Sequence, residues 1–359
     1  MSFLDRFQKL FAELPKDIDS VLITSDINRR YFTGMKSSAG TVIAFRDRAY
    51  LIIDFRYIEK ARNTVKSAEV IEQKKLFAQL HKLLHEHSAH NMVIESQTMT
   101  VSEFDAYKRE FPEVEIIGSD LLSNAISALR AVKDEQEIAC IRKAQEIAEA
   151  AFEHILGFIK PGVTEREIAL ELDHEMLRRG AEALSFDTIA LSGANTSMPH
   201  GVPSDKRVEE GEFVLMDFGA VYNGYHSDMT RTVCIGKCSE EMEKVYNTVL
   251  EAQLACLEQA RAGMTGAELD KIARSIIEHA GYGDCFGHSL GHGVGMEIHE
   301  KPNAAPSNNS VLKAGTVITV EPGIYIAGKF GVRIEDFVIL TENGSVNLTK
   351  CAKNIIYLQ

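Results

Sequence analysis

No stretch of the 359 residues is apolar for long enough to cross a bilayer, and no basic run interrupts a chain whose formal net charge is −13. The first absence argues against a helical membrane span. The second makes nucleic acid and anionic membrane poor partners. The N-terminal MSFLDRFQKLFAEL lacks the apolar core of a secretory signal. Its charges are mixed into an apolar face, so it is expected to form an amphipathic first helix. Cysteine is sparse and scattered. Cys140, Cys234, Cys238, Cys256, Cys285 and Cys351 form no C-x-x-C pair, so reduced, buried thiols and a cytoplasmic location are expected. A zinc-protease helix is missing too. The stretch GHSLGHGVGMEIHE (287–300) holds His288, His292 and His299, but Gly293, not Glu, follows His292, and its glycines disfavour a helix.

What is present is an ordinary globular composition, 45% hydrophobic and 25% charged, with a length that suggests two domains. In the first part, strand-like runs at 21–24, 41–45, 50–54, 92–95 and 114–117 alternate with helical patterns at about 55–63, 74–87 and 102–110. That predicts an α/β domain over residues 1–130. The histidines of HKLLHEHSAH (His81, His85, His87, His90) lack an accompanying acid or thiol cluster and read as a solvated helix end.

Residues 131–359 are predicted to form a second domain. Helices are expected over 134–160, from Thr164 to Gly180, over about 240–261 and over 265–280, several opening with a capping-box pattern. The domain repeats itself. KPGVTEREI (160–168) matches RAGMTGAEL (261–269), and GEFVLMD (211–217) matches GTVITVE (315–321). Repetition in the same order implies two related halves, with a cleft between them as a natural site.

Acids sit where strand patterns would bury them. Asn223-Gly224 is a type I′ hairpin signal. Counting outward from it, Tyr222 pairs with Tyr225 and Asp217 with Thr230, which leaves Asp228 diagonal to Asp217 on the same face. Glu321 ends TVITVE, and Glu335 lies in GVRIEDFVIL with Arg333 on its face. Buried acids need a positive partner. Asp217, Asp228, Glu321, Glu335 and one or more histidines form an oxygen-rich donor set. It suits Mn²⁺, Co²⁺ or Fe²⁺ better than a sulfur-rich structural zinc site, and four carboxylates suit two ions rather than one.

MDFGAVYNGYHSDMTRT, GHSLGHGVGMEIHE, ITVEPGIY and VRIED resemble the motifs of the creatinase/prolidase/methionine aminopeptidase superfamily, the pita-bread metallopeptidases. The resemblance covers residues from about 135 to the end, and the N-terminal part is similar to the domain carried by prolidases, aminopeptidases P and creatinases. It implies an α/β (α+β) fold, with a creatinase/prolidase-like N-terminal domain followed by a pseudo-twofold pita-bread domain. It also implies the metal ligands Asp217, Asp228, His292, Glu321 and Glu335. Asp228 and Glu335 would bridge two divalent ions, Asp217 would complete one site, and His292 with Glu321 the other. The expected metal is Mn²⁺, with Co²⁺, Fe²⁺ or Zn²⁺ as alternatives.

The resemblance further implies hydrolysis of Xaa-Pro bonds in small proline-containing peptides through a metal-bridging hydroxide, by a homodimer. His200 and His299 would contact the scissile carbonyl, and Glu321 would carry the proton. His288 would line the pocket of the residue after the cut, and Arg333 would stand beside the bridging glutamate and contact substrate. His226 is expected to support the site, not to ligate. An arginine that many prolidases carry a few residues beyond the equivalent of His299 is missing from HEKPN (299–303), which leaves dipeptidase and aminopeptidase activity both open. A metal-free creatinase-like amidinohydrolase and an inactive peptide-binding relative are the alternatives; both would be signalled by lost ligands.

Overall fold

A computed structural model describes residues 3–359, and the chain forms two compact units, Met1–Arg130 and Ala131–Gln359. Met1 and Ser2 of the expected first helix lie outside the described residues; the helix itself spans Phe3–Glu13.

The first unit is built on a six-stranded sheet. Its order is Glu69–Glu72, Ala49–Ile53, Thr41–Phe45, Ser20–Ile23, Asn91–Ile94 and Glu115–Ile117. Thr41–Phe45 runs antiparallel to both of its neighbours, Ala49–Ile53 and Ser20–Ile23, and the other pairings are parallel. Their continuous apolar runs pack Leu22, Ile43, Ile52, Met92 and Ile94 into one core. Three elements escape the sequence pattern, one of them the helix Leu121–Ala131. The edge strand EVIE is short, charged and only partly buried, so alternation gives no signal. The helix Asp26–Thr33 is polar on average and is defined by its ends: Ser25 accepts from the Asn28 N–H, and Gly34 closes it at φ 73°. Of the histidine-rich helix end, His81 pairs with Glu113 at 3.0 Å. His87 is not solvated as expected: it stacks on Phe45 at 3.9 Å between ring centroids and bonds the Tyr50 hydroxyl.

The second unit repeats itself bond for bond. Gly162 N–H donates to Val208 O, Val208 N–H to Val163 O, Glu165 N–H to Lys206 O and Arg166 N–H to Ser204 O. The other half makes the same four bonds, from Gly263 to Leu312, Leu312 to Met264, Gly266 to Ser310 and Ala267 to Asn308. Gly162 and Gly263 both sit near φ 90°, a backbone that favours glycine. Thr164 and Thr265 then cap Glu165–Arg178 and Gly266–His279 with full capping boxes.

Each half has three antiparallel strands. They are Ile189–Ser192, Phe213–Phe218 and Met229–Ile235 in one, and Gly291–Gly293, Val317–Val320 and Asp336–Thr341 in the other. Helices Glu135–Ile155 and Glu165–Arg178 cover the first sheet through Phe152, Leu172 and Met216. Helices Glu240–Gln259 and Gly266–His279 cover the second through Val249, Leu269 and Ile318. Among the described residues no helix is long and apolar enough to cross a membrane.

The thiol expectation needs one correction. Cys140, Cys256, Cys285 and Cys351 are free, but Cys234 and Cys238 are joined as a disulfide. Gly236 at φ 69° turns the chain back at the end of its strand, which brings Cys238 beside Cys234 although no C-x-x-C spacing announces it.

Candidate metal centre

The predicted hairpin forms. Asn223 and Gly224 take φ 49° and 82°, Tyr222 pairs with Tyr225, and Asp217 pairs with Thr230. Gly219 is required where the hairpin narrows, because a Cβ there would lie 2.0 Å from Ser227 O. Asp217 and Asp228 therefore reach the same cavity from one half. Glu321 directly follows Val317–Val320, and Glu335 directly precedes Asp336–Thr341, so both reach it from the other.

The cavity measures about 570 Å³. Asp217, Asp228, His292, Glu321, Glu335, His200, His288, His299 and Arg333 all line it, together with apolar Phe186, Ile189, Val202 and Ile298. Donor atoms of Asp228, His292 and Glu335 lie within 4.8 Å of one another. His292 Nε2 stands 3.5 Å from Asp228 Oδ2 and 3.4 Å from Glu321 Oε1.

Hydrogen-bond direction decides what that means. His292 Nδ1 lies 3.2 Å from Gly293 O. A carbonyl only accepts, so Nδ1 carries the proton and Nε2 turns a lone pair toward two carboxylates. A lone pair facing carboxylate oxygens is repulsive unless a cation lies between them. Asp217 Oδ1 is likewise buried with no hydrogen-bond partner. These donors fit divalent metal ions.

Other side chains hold the donors in place. Thr230 Oγ1 donates to Glu335 Oε2 at 2.7 Å and accepts from Arg333 Nε at 2.9 Å. Thr319 Oγ1 accepts from the His292 N–H and donates to Glu321 Oε1. Arg333 Nη2 pairs with Asp217 at 2.6 Å, and Nη1 reaches the Tyr325 hydroxyl at 2.8 Å. Its ion-pair partner is thus Asp217; Asp336 belongs to Arg231 and Lys353. Thr230, Thr319 and Tyr325 were not singled out from the sequence. Thr319 could have been found from its i, i+2 relation to Glu321 on a strand.

His288 bonds Ser289 O through Nδ1 and the Tyr325 hydroxyl through Nε2, and burial pushes its pKa down to about 4. With both nitrogens occupied, it offers the cavity a neutral ring. His299 stands edge-on to His292, 4.3 Å between centroids, and burial, then His292, lowers its pKa. His200 and His299 are exposed to the cavity. His226 does not line it; its backbone N–H bonds Gly295 O.

Burial, followed by the neighbouring acids, raises the pKa values of Asp228 and Glu335, and burial lifts Glu321 to about 7. Burial lowers that of His292. Asp228, Glu335 and Glu321 therefore hold a proton more readily than free carboxyls, and an incoming cation competes with it, whereas burial favours neutral His292. Metal affinity is expected to rise as pH rises through about 7, with proton release on binding. Calorimetric titration of Mn²⁺ in buffers of differing ionisation enthalpy checks this. A pH-independent affinity without proton release would contradict the assigned protonation.

The description "Metallopeptidase family M24" matches residues 139–342, more than half of the chain. The chain belongs to this family. A creatinase/prolidase N-terminal domain matches residues 4–132. Among relatives of this M24 peptidase, an Xaa-Pro dipeptidase of Pyrococcus furiosus is 42% identical over 98% of this chain and 99% of its own length. A solved Xaa-Pro dipeptidase from Bacillus anthracis superposes with a TM-score of 0.95 at 41% identity, covering 99% of this chain and 100% of that one. An X-Pro aminopeptidase from Thermotoga maritima gives 0.91 at 40% identity, with 95% and 98% covered. The M24 match and the similar prolidase structures agree with the mixed α/β fold expected from the motifs.

Proposed function

We propose that this M24 metallopeptidase hydrolyses Xaa-Pro bonds at the N-terminus of small peptides with two divalent metal ions. The observation that carries the reading is the His292 lone pair aimed at acids from both halves of one cavity. Xaa-Pro dipeptidase and X-Pro aminopeptidase relatives, alike over nearly their whole length, support the substrate class. Asp217, Asp228, His292, Glu321 and Glu335 would hold the metal, with Mn²⁺ the first ion to test. When bound, such ions polarise the scissile carbonyl and acidify water at neutral pH.

The chain's own residues do the rest. Glu321, which lines the cavity beside His292, is placed to accept a proton and return it to the leaving imino nitrogen. His200 and His299 present imidazole donors toward the reacting carbonyl. His288, Phe186 and Ile189 give the ring after the cut an apolar surface. Arg333, tied to Asp217, Thr230 and Tyr325, acts on substrate mainly through Asp217.

Chemistry is assigned to residues 131–359, with 1–130 as a separate N-terminal domain. The two compact units and the two family matches support that division. The resemblance also brings a homodimer into the proposal, and the four free cysteines keep a cytoplasmic location in it.

Dipeptide and longer peptide are separated by one assay. Arg333 is the sole Lys or Arg among the cavity-lining residues, and its three nitrogens all bond protein oxygens, so nothing cationic is reserved for a dipeptide's carboxylate. Turnover of Ala-Pro-Ala at a rate comparable to Ala-Pro by the Mn²⁺-loaded protein is therefore expected. Hydrolysis of Ala-Pro alone would make it a strict dipeptidase. No hydrolysis of either, with metal bound, would defeat the peptidase reading.

A further inference from the structure

The segment carrying His200 leaves the Ile189–Ser192 strand and returns at Ser204. One carboxylate grips both of its ends. Glu165, the first residue of its helix, is 0% exposed. Its Oε1 accepts from Ser192 N–H at 2.7 Å and from Asn195 Nδ2 at 3.0 Å. Its Oε2 accepts from Ser204 N–H at 3.0 Å and from the Ser204 hydroxyl at 2.6 Å. Most of the loop's other bonds are local: Thr196 to Gly193 O, Ser197 to Ala194 O, Met198 N–H to Asn195 O and Gly201 N–H to Met198 O. Gly331 N–H fixes Thr196 from outside, and Arg333 reaches Pro199 O at 3.5 Å. The return stem is gripped by Glu165 at Ser204 and, two residues on, by Lys206 Nζ, which donates to the Ser192 hydroxyl at 3.0 Å.

The repeated half shows that the turn itself needs no acid. Gly266 stands where Glu165 does, and the same four backbone bonds form around it. The carboxylate is an addition peculiar to the half whose loop carries His200. We propose that Glu165 is a positioning residue that clamps the Ser192–Ser204 loop so that His200 faces the cavity. This rests on the reading that His200 acts on substrate.

Two measurements on the full-length, Mn²⁺-loaded protein test it. In Glu165→Ala, amide hydrogen exchange across 193–204 should quicken, while the strands bearing Asp217 and Glu335 and the bound-metal content stay unchanged. Unaltered exchange in that loop would overturn the clamp. With Ala-Pro or Ala-Pro-Ala, whichever is turned over, kcat/KM should fall about tenfold to a hundredfold, the scale of a misplaced group. In the His200→Ala background, the same substitution should cost less than about twofold, because the two changes act through one group. An equal loss in both backgrounds would mark Glu165 as merely structural and sink the proposal. If His200→Ala alone costs nothing, the role of His200 fails, and loop exchange still decides whether Glu165 holds the loop. Should the alanine variant not fold, Glu165→Gln replaces it. The amide keeps one acceptor oxygen and turns an NH₂ toward a pair of donors, so the same two results are expected at smaller size.

Discussion

Replacing Glu335 with alanine is expected to remove bound metal and peptidase activity together. Glu335 is 1% exposed, and its pKa is raised by burial and then by Glu321 and Asp217. Four acids in one cavity are tolerable as anions only with compensating positive charge, and Arg333 supplies one unit against four. Metal ions would supply the remainder, and Glu335 shares a compact donor group with Asp228 and His292. Losing it breaks that group and also strips Thr230 of its acceptor. Metal analysis after dialysis, beside turnover, makes the measurement. Glu335→Gln is the companion: it keeps the volume and an oxygen for Thr230 but loses the charge, and should fail in the same way. Full metal content with background activity in both variants would mean that Glu335 acts on the reaction and not on the metal. A variant that keeps both would remove Glu335 from the centre.

His299→Ala is expected to do the opposite, keeping the metal and losing rate. Its ring meets the edge of His292, but its own pKa is lowered chiefly by burial, and it lies exposed to the cavity. A neutral imidazole there can donate to a developing oxyanion without competing for the metal. Removing such a group costs about 10²–10⁴-fold in kcat. Metal content and KM should change little. If His299→Ala empties the site instead, the edge contact with His292 is what matters, and the division between ligand and donor is wrong.

The contrast between these two histidines shows where sequence reading stops. GHSLGHGVGMEIHE offers three imidazoles, and neither spacing nor composition ranks them. The resemblance ranks them, and the fold supplies a physical basis by turning His292 Nδ1 onto Gly293 O and His288 onto Ser289 O and Tyr325. Arg333 was legible as a cation beside an acid, but Asp217, 116 residues away, is its partner. In sequence Glu165 is one of two acids in the first turn of its helix. Its grip on Ser192 and Ser204 depends on two strands closing over it.

What the sequence determined by itself is local. Capping boxes placed the helices after Asp134, Thr164 and Thr265, Asn223-Gly224 set the register that puts Thr230 opposite Asp217, and two repeats in the same order announced two halves. These rest on short-range geometry, which a few neighbouring residues fix. The tertiary structure decided which acids His292 faces, which acid holds Arg333, and what clamps the His200 loop. Those depend on which strands and helices pack against one another, and partners tens of residues apart leave no periodic trace along the chain.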